Sequence, residues 1–371
     1  MRAKGCDLKE VAARAARRLM SYPWKVWFWG DSIGLEGLLD ASEFLGSREY
    51  ESFVYGMVKD WMARRQPAGR WDYTAPGVSI LRLDERLPDP ALLSLAWEHA
   101  EYLAGFRRTE EGAFVRYADA DFDLPPELPS DHPDAKLAEK LQARARKAGP
   151  CIFVDNMHFD GPFYAGLCRL TGDDRWRQLA LDNIFPSIDL LFDEEHSLFH
   201  HFWIEERKRP NGVLWGRGQG WALLGIVHTL EALDPDDPAV PRLREVLERH
   251  SRALAEAQDP SGHWHTVVTD PASYLETSVA AFVVDGFSRA IRHGWIEEAY
   301  RPTVDRAFEA LLEAVKADGT LDGVSYETYP SLSADHYKTM PRGAMVPWGQ
   351  GPLLAAIRSY AGAGFAGSAG G

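Results

Sequence analysis

The sequence predicts an all-α fold, an (α/α)6 barrel in which six helical hairpins close into a toroid, with a few short β-hairpins in the loops. Three observations predict it. Apolar helices rich in small residues alternate along the chain with amphipathic ones. Each apolar helix follows a turn bearing Gly, Asp, Glu or Gln, at Gly30-Asp31, Asp84, Asp155, Gly218-Gln219, Glu276 and Gly349-Gln350, and these openings recur every 50 to 75 residues or so, about the spacing of a repeated hairpin. Strand-like patterns are confined to Leu198 to Trp203 and His263 to Val268. An inner ring wrapped by an outer ring brings the six turns to one end, and that end is the expected site.

Composition sets the bounds. The chain of 371 residues is 45% hydrophobic and 12% aromatic, enough for one large core and too apolar for disorder, and residues 1–371 are read as a single domain. A formal charge of −14, from 41 Lys and Arg against 55 Asp and Glu, with no basic run, argues against nucleic acid and anionic membranes as partners. The charged start, Met1 to Glu10, lacks the apolar core of a signal peptide and no later stretch reaches membrane-spanning length, so a cytoplasmic protein is expected. Cys6, Cys151 and Cys168 are odd in number and lack metal-finger spacing, which reads as idle thiols. Oligomeric state has no signal in the sequence.

Taken in order, Asp7 to Met20 is an amphipathic helix with Val11, Ala15 and Leu19 on its apolar side. The indole-rich Trp24 to Asp31 ends in a Gly-Asp turn suited to cap a helix over Ser32 to Phe44. Tyr50 to Arg65 is again amphipathic, and a turn from Ala75 to Asp84 precedes a helical run at Ala91 to Leu103. Residues 107–150, with Pro125, Pro126, Pro129 and Pro133 among acidic residues and then a charged run, read as a long exposed excursion lying over one end of the domain. Beyond it, turn-then-apolar-helix units open at Asp155, Gly218, Glu276 and Pro347, interleaved with amphipathic helices at Asp173 to Leu181, Ala239 to Gln258 and Ile296 to Lys316. The tail 361–371, nearly all Gly, Ala and Ser, is expected to be loose.

Chemistry concentrates at the openings. In Trp215-Gly216-Arg217-Gly218-Gln219-Gly220-Trp221, glycines allow close approach while two indoles flank a guanidinium that cannot lose its charge, at the start of a helix whose N–H groups favour an anion. Asp155, among Ile152, Phe153, Val154 and Met157, is placed for a raised pKa and a proton held near neutrality. An N-cap is the other reading of that position, and Asp84 has the same two readings. Alternation in Phe199-His200-His201-Phe202 puts the two imidazoles on opposite faces, one toward the site. His263-Trp264-His265 could share a metal, but no third ligand of fitting spacing follows. Trp-rich helix starts, Trp29 included, suit either packing or the stacking walls of a sugar site.

Val154-Asp155-Asn156-Met157 with Gly161-Pro162-Phe163, Leu198 to Trp203, Trp215 to Trp221 and Tyr274-Leu275-Glu276-Thr277-Ser278 resemble, in that order, the unsaturated glucuronyl and rhamnogalacturonyl hydrolases of glycoside hydrolase families 88 and 105. The resemblance runs from about Trp27 to Gly351, and those families adopt an (α/α)6 barrel. It implies small acidic oligosaccharide substrates carrying a 4,5-unsaturated uronic acid at the non-reducing end, released by hydration of the enol ether without metal or organic cofactor. Asp155 is then the general acid and base, and Asp84 matches the second acidic position, for proton relay or hydroxyl binding. His201 matches the histidine beside the reacting ring, Arg217 an arginine for substrate oxygens, and Trp215, Trp221 and Trp29 stacking walls. An inverting glycosidase or sugar epimerase on the same toroid, acting on saturated sugars, is the alternative; a non-catalytic sugar binder would have no use for a desolvated acid. Residues 107–150 and Pro341 to Pro347 follow no family pattern, so the neighbouring sugar, whether rhamnose, glucosamine, xylose or another, is not specified.

Overall fold

A computed structural model describes residues 2–3, 6–25, 28–64, 76–122 and 146–365. Val26, Trp27, most of the excursion (123–145) and the end of the tail (366–371) lie outside the described residues. Among the described residues, twelve helices of ten residues or more alternate between two rings: α1 (Leu8–Met20), α2 (Trp29–Leu45), α3 (Arg48–Ala63), α4 (Gly77–Arg86), α5 (Pro90–Ala104), α6 (Gly161–Thr171), α7 (Asp174–Leu191), α8 (Gly216–Ala232), α9 (Val240–Glu256), α10 (Thr277–Arg292), α11 (Arg301–Ala314) and α12 (Pro347–Gly362). The even-numbered helices touch in succession, α2 to α4 to α6 to α8 to α10 to α12, and α12 returns to α2. That closed inner ring is the predicted (α/α)6 barrel.

The two rings follow from composition. Outer helices present one apolar stripe: in α1 it is Leu8, Val11, Ala12, Ala15, Ala16 and Leu19, with Asp7 accepting from the Lys9 N–H at 3.0 Å to cap it. Inner helices are buried nearly all round, and in α8 every residue from Gly216 to Val227 is buried. Glycine lets inner helices meet: a Cβ on Gly37 of α2 would run into the Gly351 backbone of α12, so the seam that closes the ring is backbone against backbone.

Inner helices begin at one end of the ring and outer helices at the other. The predicted second opening is therefore a correction. α4 begins at Gly77, after Pro76, and Asp84 stands two turns further on, roughly 10 Å along the axis at 1.5 Å per residue. Asp84 accepts from the Asp89 N–H at 3.0 Å, in the connection to α5 at the opposite end.

Short strands dress the site end. A four-stranded antiparallel sheet runs β1 (Tyr117–Phe122), β2 (Arg146–Phe153), β3 (Phe202–Ile204) and β4 (Arg209–Pro210). Two predicted hairpin regions are present: Leu198–Phe199 pairs with Phe192–Asp193, and Trp264–His265 with Leu275–Glu276. The excursion is less exposed than expected at its start. Ala113, Phe114, Val115 and Arg116 are buried, and Arg116 Nε donates to Asp160 Oδ2 at 2.8 Å with both side chains fully buried. Among the described residues no helix is long and apolar enough to cross a membrane, and Cys151 and Cys168 are free thiols.

Candidate active site

Asp155 is placed by the sheet that precedes it. β2 pairs with β3 in the register Phe153 to Phe202, and the ladder continues where the Val154 N–H donates to the His201 carbonyl at 3.0 Å. Asp155 follows at once, its carbonyl accepting from the His158 N–H at 3.0 Å to start a helical turn over Asn156–Phe159. The carboxyl thus stands between a strand end and a helical turn, over the apolar side chains read from the sequence. Its side chain keeps 18% exposure, and buried Oδ2 has no hydrogen-bond partner. Desolvation raises the Asp155 pKa to about 7, against smaller opposing effects of a backbone hydrogen bond, Arg217 and His158.

His201 Nε2 lies 3.9 Å from Asp155 Oδ2, while His200 turns the other way with Nε2 3.2 Å from Asp193, as the alternation predicted. Burial holds His201 neutral, well below the usual histidine range, reinforced by Arg217. The Tyr337 hydroxyl, which accepts from the Asn211 amide at 3.2 Å, lies 2.6 Å from His201 Nδ1, and this contact fixes the ring with Nε2 facing Asp155. Trp215 backs the imidazole with ring centroids 4.3 Å apart.

Arg217 departs from the sequence reading. It is fully buried, and its terminal nitrogens donate to Ser325 Oγ at 2.8 Å, the Tyr326 carbonyl at 3.0 Å and Thr328 Oγ1 at 3.0 Å. Glu276 Oε1, 3.5 Å from the guanidinium, accepts from the Ser325 N–H at 3.0 Å. The planar fork is spent on the 325–328 segment and is not presented to a ligand. Trp215 and Trp221 are corrected likewise: both are buried, Trp215 between His201 and Arg217, Trp221 against His158, Phe159 and Phe282. Trp29 is the half-buried one, tilted against Trp348 at 4.6 Å. Asp155, His201, Trp215 and Arg217 therefore come together, Trp221 is buried with Trp29 edge-on to it at the start of α2, and Asp84 is at the far end.

Sequence reasoning missed Tyr337, Asn211, Ser325 and Thr328, polar residues in loops without motif spacing. It also left Glu276 as an opening alone. The repeated Gly-Gln pairs were a usable signal. Gln219 accepts from the Phe199 N–H at 2.8 Å and donates to the Phe199 and Trp215 carbonyls at 2.7 and 2.9 Å. Gln350 does the same job, accepting from the Leu321 N–H at 3.0 Å and donating to the Gly319 and Ala15 carbonyls at 2.5 and 3.2 Å. Each is a side-chain amide that supplies backbone partners to loops at an inner-helix start.

A double ring of helices with one desolvated carboxyl at its mouth defines a carbohydrate-processing toroid. Residues 8–362 match Glycosyl Hydrolase Family 88; the chain belongs to that family and is a glycosidase. Its sequence is 28% identical over 338 residues to the unsaturated rhamnogalacturonyl hydrolase YesR of Bacillus subtilis (strain 168), covering 88% of each chain. Its fold is similar to that of a possible GH105 member from Salmonella enterica serovar Paratyphi A, with TM-score 0.81, 21% identity and coverage of 95% of this chain and 93% of that one. It is also similar in fold to the unsaturated glucuronyl hydrolase of Bacillus sp. GL1, with TM-score 0.69, 17% identity and 95% and 94% covered.

Proposed function

We propose that the protein releases 4,5-unsaturated uronic acid from the non-reducing end of short acidic oligosaccharides, with Asp155 as general acid and then base. The observation that carries this is the unpartnered, desolvated Asp155 carboxyl, protonated up to about pH 7, with the Nε2 of a neutral imidazole 3.9 Å away. Asp155 gives its proton to C4 of the enol ether, and the electron-poor C5 takes the oxygen of a water whose proton Asp155 then accepts. The resulting hemiketal opens and the aglycone leaves as an alcohol. His201, fixed by Tyr337, orients the water or a ring hydroxyl through its Nε2. Asp84 is not part of this reading, which also removes it as the second carboxyl of an inverting pair.

The substrate carboxylate needs a cation, and Arg217 is committed elsewhere. Arg342 takes its place in this proposal. It is exposed, its guanidinium lies 4.2 Å over the Tyr274 ring, and its backbone bridges to Ser325, the residue that Arg217 holds. Among the described residues it has no carboxylate partner. Arg342→Ala is expected to raise KM for an unsaturated disaccharide about tenfold with kcat changed far less; an unchanged KM removes the contact.

The decisive test is ultraviolet decay of lyase-generated disaccharides. Asp155→Asn is expected to lower kcat by about 10³-fold or more with the fold intact by circular dichroism. Turnover retained in that variant, or turnover of a saturated nitrophenyl glycoside alone, would sink the assignment.

A further inference from the structure

Inside the ring, below the catalytic carboxyl, three ligand-type side chains from three elements meet: Glu36 of α2, His158 of the turn after Asp155 and His228 of α8. One ligand atom from each lies within 4.8 Å of the other two, and Glu36 Oε1 is 3.4 Å from His158 Nε2. Neighbouring ligands of a tetrahedral ion bound at about 2.0 to 2.1 Å stand roughly 3.4 Å apart, so this pair already has the required separation. A second observation is independent of spacing. Glu36 Oε1, both His158 nitrogens and His228 Nε2 are buried without any hydrogen-bond partner, so four unsatisfied polar atoms of ligand type gather at one point of the interior.

We infer that Glu36, His158 and His228 form a binding site for one divalent transition-metal cation of the zinc class, distinct from the catalytic carboxyl. A carboxylate with two imidazoles is a ligand set such a cation takes, leaving one position for water. The guanidinium groups nearby do not oppose it. Arg82 is paired with Asp40 and Glu43, Arg358 with the same two carboxylates, and Arg289 with Asp285 and Glu231. Asp285 Oδ2, 3.9 Å from His228 Nε2 and itself without a hydrogen-bond partner, offers a further oxygen at the edge of the site. Access comes from the end of the ring opposite Asp155, where a cavity of about 360 Å³ is lined by both Glu36 and His228. The cation ties α2, α8 and the turn that carries Asp155, and no step of the sugar chemistry passes through it. The sequence reading weighed only His263 and His265, which share no third ligand; this set is spread across about 190 positions of chain and has no local spacing to reveal it.

The test uses the full, tag-free chain, stripped with chelator and dialysed. Zn²⁺ titrated by calorimetry is expected to bind at one equivalent with Kd below about 1 μM, to raise Tm, and to leave ultraviolet turnover in place. Co²⁺ is expected to give the visible bands of a four-coordinate site, and X-ray absorption of the Zn²⁺ form two imidazoles, oxygen and no sulfur. His228→Gln, at the cavity edge, is expected to weaken Zn²⁺ binding about tenfold or more, while His265→Gln leaves it unchanged. No stoichiometric uptake, uptake undiminished in His228→Gln, or an absorption spectrum without two imidazoles each overturns the site. The absorption measurement needs no variant, so it decides even if His228→Gln fails to fold.

Discussion

A carboxylic acid that must be neutral to work is also a burden on the fold. Free Asp loses its proton near 3.8, whereas folded Asp155 keeps it to about 7, so between those values the folded state binds the extra proton and stability falls as pH rises. Asp155→Asn removes that penalty. At pH 8 its Tm is expected to exceed that of the parent by about 2 °C or more, with the gap closing near pH 4. The rate has the same origin: kcat/KM is expected to be level below pH 7 and to fall above it, as the acid form is lost. Arg217 behaves oppositely. Arg217→Met leaves the fully buried Glu276 carboxylate without its cation and takes a donor from Ser325 and Tyr326, which costs about 3 to 5 kcal/mol. A large drop in Tm is expected; a raised KM with Tm unchanged would instead restore the substrate-clamp reading. Sequence made Asp155 legible because its apolar neighbours are adjacent in the chain. It misread Arg217 because the partners that use up its fork lie more than a hundred residues away.

Among the elements, the inner-helix starts do the positioning. Gln219 holds Phe199, two residues before His201, and so sets the strand that presents the imidazole. Gln219→Ala strands two buried backbone groups, the Phe199 N–H and carbonyl, at a cost of about 2 to 4 kcal/mol, and is expected to lower both Tm and kcat. A loss of Tm without any change in kcat would show that the His201 strand is held by other means. Helix alternation and five of the six openings could be read from periodicity. The second opening could not: Pro76-Gly77 looks like a turn, and the acidic Asp84 drew attention to the wrong end of α4. β2 was equally hidden, since Arg146-Lys147-Ala148-Gly149-Pro150 has no strand pattern of its own and is extended in pairing with β1. Nor does a list of indoles say which are covered, and Trp215 and Trp221 turned out to be walls of the interior.

At the scale of the molecule, the ring is a closed circuit whose last link is α12 against α2. Gly351→Ala puts a methyl into the Ile33 carbonyl region and is expected to lower Tm by several degrees. An unchanged Tm would mean the seam can open to admit it. The circuit also orders events in time. The helix formed first among the inner six finds its final neighbour only when residues 347–362 have been synthesised, so until then each molecule carries two raw apolar flanks. A ribosome that stalls or a message that ends before residue 347 therefore yields an arc with sticky edges, a natural client for chaperones and proteases, where a chain of independent repeats would yield a shorter working protein.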